Sequence, residues 1–327
     1  MTKQRRCSLV GAGLFLCAVT LSAQDAAVSF APEDQKTAAT AAPAAAGDDT
    51  AALAKATQNP VASLISVPFQ NNTNFGVGPY NRTQDVLNVQ PVIPLRINEK
   101  WMLISRTIQP IVWQPAQSAN AGGQYGFGDM NPTFFFSPAK PGKVIWGFGP
   151  AIVLPTATST ALGQGKLSFG PSAVALVQPG PWTVGALVNN VFSVAGSPHR
   201  PYVNQMLLQY FINYNMKKGW YLTSAPIITA NWRSKGSGEA STGNDTTGGS
   251  VWTVPVGGGA GRVMKLGFQP VNISASFYGN AVHPPGASSW GMRLQIALLY
   301  PKFTKEQQIK LMENRLKELQ QPQPPKK

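Results

Sequence analysis

Two histidines, His199 and His283, are the only imidazoles in the 327-residue chain, and they bound the chemistry open to it. Hydrolysis through an activated serine needs a nucleophile with a base in reach. Both histidines fall in connections between strand-like segments, and neither stands on a strand beside a suitable serine. A metal centre takes three or four ligands, which two loop histidines do not supply. Glu239 and Asp245 share one long Gly/Ser/Thr-rich connection. Cys7 and Cys17 both lie in the first 23 residues, where a leader is predicted. The mature chain would then hold no disulfide, thiolate metal site or cysteine nucleophile. Gly257-Gly-Gly-Ala-Gly261 falls mid-strand, with no following Lys-Ser/Thr pair or helix, so it is not a phosphate loop. It suits bending or close approach of a wall. The residues predict no enzyme, no metal and no cofactor.

What remains is a set of polar side chains at period two. Gln205, Gln209, Asn213 and Asn215 share one face of a segment whose other face carries Met206, Leu208, Tyr210, Ile212 and Tyr214. Asn272, Ser274, Ser276, Tyr278 and Asn280 oppose Val271, Ile273 and Phe277. Asp129, Asn131 and Thr133 alternate with Met130, Pro132 and Phe134. Arg106 interrupts an apolar segment, and Arg293 and Gln295 lie on the polar side of the last one. Arginine facing lipid near the midplane costs about 2–4 kcal/mol, so Arg106 and Arg293 are expected to point inward. There they would pair with Asp129 or Asp85, or form a selectivity ring. The candidate lumen contacts are Arg106, Asp129, Asn131, Gln205, Gln209, Asn213, Asn272, Arg293 and Gln295. Either they satisfy one another inside a narrow lumen or they touch a solute. Phe135 and Leu299 add apolar surface to the same interior.

Such residues need strands to position them. Trp290, Met292, Leu294, Ile296, Leu298 and Tyr300 form an apolar stripe with aromatic ends. That is the lipid-facing pattern of a membrane strand. About twelve such segments are predicted, near 62–70, 83–95, 101–113, 127–137, 143–155, 166–178, 181–193, 203–215, 219–232, 251–262, 270–281 and 290–300. Faces on the third and seventh are ambiguous. The connections at 97–100, 138–142, 179–180, 216–219 and 264–268 are short. Those at 71–82, 114–126, 156–165, 195–202, 233–250 and 282–289 are longer, so the two classes alternate. The fold class is all-β: a transmembrane antiparallel up-and-down β-barrel of about 12 strands, with a short C-terminal periplasmic helix. Short turns would face the periplasm and long loops the outside. Pro91, Pro94, Pro110, Pro132, Pro150, Pro171, Pro226 and Pro255 fall inside these segments, so strands bulge or end sooner.

Composition agrees. Charged residues make up 12% of the chain, about half the usual share. Lys3, Arg5 and Arg6, an apolar run from Ser8 to Leu21 and Ser22-Ala23 predict a signal peptide over 1–23. Its removal takes three of the 27 basic residues and leaves a net charge near +11. The remaining basic residues are scattered over turns and the tail, which excludes nucleic acid as a partner. A soluble β-sandwich array would explain the alternation but not the aromatic-ended faces. Residues 24–60 are low in complexity and form a periplasmic tether or a plug. The barrel covers 61–303. Ile309, Met312, Leu316 and Leu319 predict an amphipathic helix in the tail 304–327, which docks a periplasmic partner through 305–320, caps the mouth or is solvated.

Several runs resemble bacterial outer-membrane barrels labelled "transporter" or "MetA-pathway of phenol degradation", some of them mislabelled neuromedin U. They are 57–71, Gly128-Asp-Met-Asn-Pro-Thr-Phe-Phe-Phe-Ser-Pro138, Trp146-Gly-Phe-Gly-Pro150, 178–190, Trp220-Tyr-Leu-Thr-Ser-Ala-Pro226 and Trp252-Thr-Val-Pro-Val-Gly-Gly-Gly259. The resemblance spans about Lys55 to Lys302. It implies a barrel in the outer membrane of a Gram-negative bacterium and passive uptake of small molecules, hydrophobic or aromatic ones among them. A structural or interaction barrel with an occluded lumen is the alternative. Outer-membrane lipid and a small-molecule solute are the implied partners. The chain departs from the pattern by continuing past Phe303, where the last strand would end.

Overall fold

The computed structural model describes residues 46–118, 122–233 and 251–300. The expected signal peptide, residues 24–45, the tail from 304 and nearly all of the 233–250 loop, with Glu239 and Asp245, lie outside them. One helix, α1 (Ala46–Thr57), precedes the strands. The first wall strands are β1 (Ile65–Val77), β2 (Arg82–Val89), β3 (Val92–Arg96) and β4 (Trp101–Gln114). Next come β5 (Gln124–Phe127), β6 (Asn131–Pro138), β7 (Val144–Val153), β8 (Lys166–Val177) and β9 (Trp182–Gly196). The chain then forms β10 (Asn204–Asn215), β11 (Trp220–Ser224), β12 (Ile227–Asn231), β13 (Trp252–Leu266), β14 (Gln269–Val282) and β15 (Trp290–Tyr300).

β2 and β3 are two halves of one wall strand, as are β5 and β6, and β11 and β12. The wall therefore has twelve antiparallel strands, each paired with its sequence neighbours, and β1 against β15 closes the cylinder. Closure leaves the backbone polar groups paired around the ring, which is what a hydrocarbon surrounding requires. No helix among the described residues is long and apolar enough to cross a membrane.

Prolines explain two of the three interruptions. Pro91 and Pro226 have no N–H to give the ladder, and the strand stops at Gln90–Pro91 and at Ala225–Pro226. Neighbours patch the first break: Gln90 N donates to Pro68 O at 2.9 Å and Thr107 N to Pro91 O at 3.1 Å. Pro255 lies at a register shift between β13 and β14. Pro94, Pro110, Pro132, Pro150 and Pro171 remain inside strands.

Three expectations need correction. The first connection is not long: β1 runs to Val77 and only residues 78–81 turn the chain. Asn71 to Asn74 have turn-forming side chains, but Thr73 Oγ1 donates to Asp85 Oδ1 at 2.6 Å and Asn74 Nδ2 to Gln84 Oε1 at 3.0 Å, so the polar run is held as strand. Gly78 (φ +71°) and Asn81 (φ +51°) take the left-handed conformations that this tight turn needs. At the other end of the wall, β13 continues to Leu266, and Gly267–Phe268 alone make the turn expected over 264–268. Residues 61–64 are not strand and enter the barrel instead.

The outer face carries the expected apolar surface. Along β15, Ile296 is 50% exposed and its neighbour Ala297 2%. Aromatic side chains gather at both ends of the wall. Phe75 stacks on Trp290 at 4.0 Å and Trp113 meets Tyr125 at 4.7 Å at the long-loop end. Trp101 meets Trp146 at 6.0 Å and Trp182 meets Tyr214 at 4.9 Å at the short-turn end. The seventh wall strand resolves cleanly: Thr183, Leu187 and Val191 are buried, while Val184, Val188 and Phe192 are exposed. Inside the barrel, one apolar cluster joins Ile104, Phe135, Val174, Leu176, Leu187 and Phe211 around Val61. A second joins Ala54 and Leu64 to Tyr221, Val263, Ala297 and Leu299.

Candidate functional site

A cavity of about 190 Å³ lies inside the barrel. Its wall has two characters. Gln70, Gln90, Arg106, Ser276, Arg293 and Gln295 present polar groups, while Leu64, Val92, Leu187 and Phe211 present hydrocarbon. Period-two alternation puts these side chains inward, because their register partners share the same face. Leu187 and Phe211 belong to the cluster around Val61, and Val92 packs against it.

Arg293 is held by three groups. Its Nε donates to Asn72 Oδ1 at 3.0 Å, an Nη donates to Ala225 O at 2.9 Å, and the guanidinium lies 5.0 Å from the Tyr278 ring centroid. The carbonyl of Ala225 is available because the strand breaks there, before Pro226. Tyr278 Oη accepts from Ala225 N at 3.3 Å, so the break is repaired from the lumen side. Arg106 donates an Nη to Gln90 Oε1 at 2.9 Å. Gln90 is the residue before Pro91, the other break. Each arginine thus stands where a proline has interrupted the wall.

The expected ion pairs do not form. Asp85 is opposite Thr73, and Thr73 is one step from Asn72, which is opposite Arg293. One step reverses the face, so Asp85 lies on the outer side of the wall. Asp129 accepts from Ala157 N at 3.1 Å and from Gln164 N at 2.6 Å, which ties the 155–165 connection to the β5–β6 junction.

Of the nine expected lumen contacts, Arg106, Gln209, Asn213, Asn272, Arg293 and Gln295 line this cavity. Asp129, Asn131 and Gln205 do not. Asn131 accepts from Thr133 Oγ1 at 3.3 Å, and Gln205 Oε1 accepts from Gln164 Nε2 at 2.7 Å, toward the long loops. Gln70, Asn72 and Gln90 were missed by sequence reading. Their signal was present: Ser66, Pro68, Gln70 and Asn72 alternate with Val67 and Phe69. The turn-like composition of the run concealed it.

The floor of the cavity is chain that precedes the barrel. Ala56, Gln58, Asn59, Ala62 and Leu64 all line it. Gln58 and Asn215 exchange amide hydrogen bonds at 2.8 and 3.0 Å. Lys55 Nζ donates to Gly180 O at 2.5 Å, and Gln178 Nε2 donates to Lys55 O at 2.9 Å. These contacts fix the segment against the short turns.

Among the described residues, Lys166, Arg200 and Arg233 gather at the long-loop mouth. Lys166, buried at the start of β8, lies 4.9 Å from the Tyr202 ring centroid, and Arg233 lies 5.8 Å from it. Arg200 donates to Gln164 O at 3.0 Å, Thr160 O at 2.8 Å and Gly163 O, closing the 155–165 connection onto 197–203. His199 and His283 stand in the connections on this side, where His283 Nδ1 is 3.0 Å from Pro284 O. No group of three His, Cys, Asp or Glu able to hold a metal occurs among the described residues.

No protein-family model matches the sequence, and no curated protein matches it. Solved structures do. The chain is similar to an outer membrane phospholipase A from Escherichia coli, with 13% identity over 72% of this chain and 92% of that one, at a TM-score of 0.37. It is similar to a calcium-bound Salmonella typhi outer membrane phospholipase dimer, with 13% identity over 79% and 99%, at 0.38. Those scores are too low to bear on function. The COG4313 outer membrane channel from Pseudomonas putida F1 matches 72% of this chain and 94% of its own length, with 12% identity and a TM-score of 0.52, and this likeness places the fold among outer-membrane β-barrels.

Proposed function

We propose that the chain is an outer-membrane channel for passive entry of small molecules, hydrophobic and aromatic ones among them. One observation carries the reading: a sealed wall with an apolar, aromatic-ended exterior surrounds a cavity lined by both polar and apolar side chains. A barrel built only as a wall has no need of an amphipathic interior. The similarity to the Pseudomonas putida channel supports the same reading. With the short turns in the periplasm, solute enters between the long loops, rests in the cavity and leaves past residues 53–64. That segment narrows the exit, so flux is slow or gated.

Entry of radiolabelled solutes into liposomes tests it. The mature protein should speed entry of toluene-like and phenolic solutes more than that of sugars or amino acids. A tight seal against every solute would instead favour the occluded structural barrel.

A further inference from the structure

Two guanidinium groups, Arg106 and Arg293, line one cavity of about 190 Å³. Neither is neutralised by a carboxylate among the described residues. From Ile65 to Tyr300 the described residues include three carboxylates, and each is placed elsewhere: Asp85 on the outer wall, Asp129 in the long-loop anchor, and Glu99 exposed in the 97–100 turn. Two like charges gathered inside a narrow barrel repel each other and lose hydration, and they require compensation.

Hydrogen-bonding capacity is also left over. A guanidinium has five N–H donors and no acceptor. Among the described residues, Arg106 donates to Gln90 through one Nη, and Arg293 uses Nε and one Nη. The remaining N–H groups form part of the polar wall. Planar forks of this kind match a carboxylate in two-point geometry.

The rest of the cavity selects further. Leu64, Leu187 and Phe211 add hydrocarbon to the lining, and Val92 lies directly beside Arg106 across the β3–β4 pair. A fully hydrated inorganic anion gains nothing from that hydrocarbon. The volume lies below the ~300–1,000 Å³ of pockets for drug-sized ligands, which limits the occupant to one small ring or a short chain. At the mouth, Lys166 and Arg233 flank Tyr202. Positive potential along a path raises the local concentration of anions.

We propose that the cavity binds small amphipathic organic acids, with the carboxylate between Arg106 and Arg293 and the hydrocarbon body on the Leu187–Phe211 side. The proposal rests on the channel reading and names the solute class that the channel takes.

Benzoate and its neutral analogue benzamide separate the two ideas. Each is titrated calorimetrically into the detergent-solubilised mature protein, and its entry into protein-containing liposomes is measured in parallel. Benzoate should bind saturably, with benzamide and inorganic phosphate at least about tenfold weaker, the scale of one charge-assisted hydrogen bond. The R106Q/R293Q variant should lose about tenfold or more for benzoate and leave benzamide unchanged, while R106K/R293K, which keeps the charges but not the planar forks, should fall between that variant and the native protein. Heat-modifiable migration on gels establishes that each variant is folded, and R106Q and R293Q singly replace the double variant if it is not. Equal binding of benzoate and benzamide, or benzoate binding untouched by the glutamines, overturns the site. Solute entry without that preference leaves the channel and removes the site; benzoate binding without entry leaves the site and removes the channel.

Discussion

Tyr221 and Gly261 show how closely single residues fit the wall to its interior. Tyr221 Oη donates to Asn272 Oδ1 at 2.8 Å, in a buried pair at the lower edge of the cavity. A Cβ on Gly261 would stand 2.3 Å from the Tyr221 ring and hydroxyl, so the ring lies where that side chain would have been. Gly261→Ala should therefore destabilise the barrel by about 1–3 kcal/mol, the range for over-packing, measured by urea unfolding in detergent micelles. Combining it with Tyr221→Ala should recover part of the loss, since the two sites are in contact. The inward direction of Arg106 and Arg293 was legible from the cost of charge against lipid. Their partners were not. A one-residue step in register puts Asp85 outside and Asn72 inside, and sequence does not report register. The acceptor on Ala225 is a backbone carbonyl, freed only because the strand is interrupted at the next residue.

At the scale of elements, alternation carried most of the information. β15 shows it plainly: Trp290, Leu294, Ile296 and Tyr300 are exposed, while Arg293 and Gln295 face the cavity. Ile296→Arg should cost about 2–4 kcal/mol if its side chain meets the bilayer near the midplane, whereas Gln295→Glu, which adds a charge opposite in sign to the two arginines of the same cavity, should be tolerated in the lumen. Reversible unfolding in lipid vesicles compares the two; equal costs would deny the assignment of faces. Elements whose composition opposed their fate were the ones misread. Asn71 to Asn74 resemble a loop and lie in β1, because cross-strand bonds to Gln84 and Asp85 satisfy them. The strand expected at 62–70 begins later, because Val61 and Leu64 are drawn into interior clusters. Burying such side chains is worth about 1.5–3 kcal/mol each, enough to hold a short segment against the short turns. Nothing in the local pattern of 53–64 distinguished a tether from a floor. That distinction depends on surfaces contributed by strands more than a hundred residues away, such as β9 and β10.

For the whole molecule, the wall and the cavity make complementary demands. Lipid outside requires every strand to find a partner, and the ring closes on β1 and β15. The interior need not be uniform, and here two apolar clusters are interleaved with amides, hydroxyls and two arginines. Strand number and closure were legible because twelve alternating segments repeat the same signal. The make-up of the lumen was not, because it arises from which inward faces meet across the barrel. The central claim is that solute passes through this lumen and that residues 53–64 set its width. Single-channel current across planar bilayers tests it most directly, with the mature protein beside a variant lacking 46–62. Small, brief currents from the first and several-fold larger, sustained ones from the second are expected. Two membranes that stay equally silent, with both proteins inserted and folded, would contradict it.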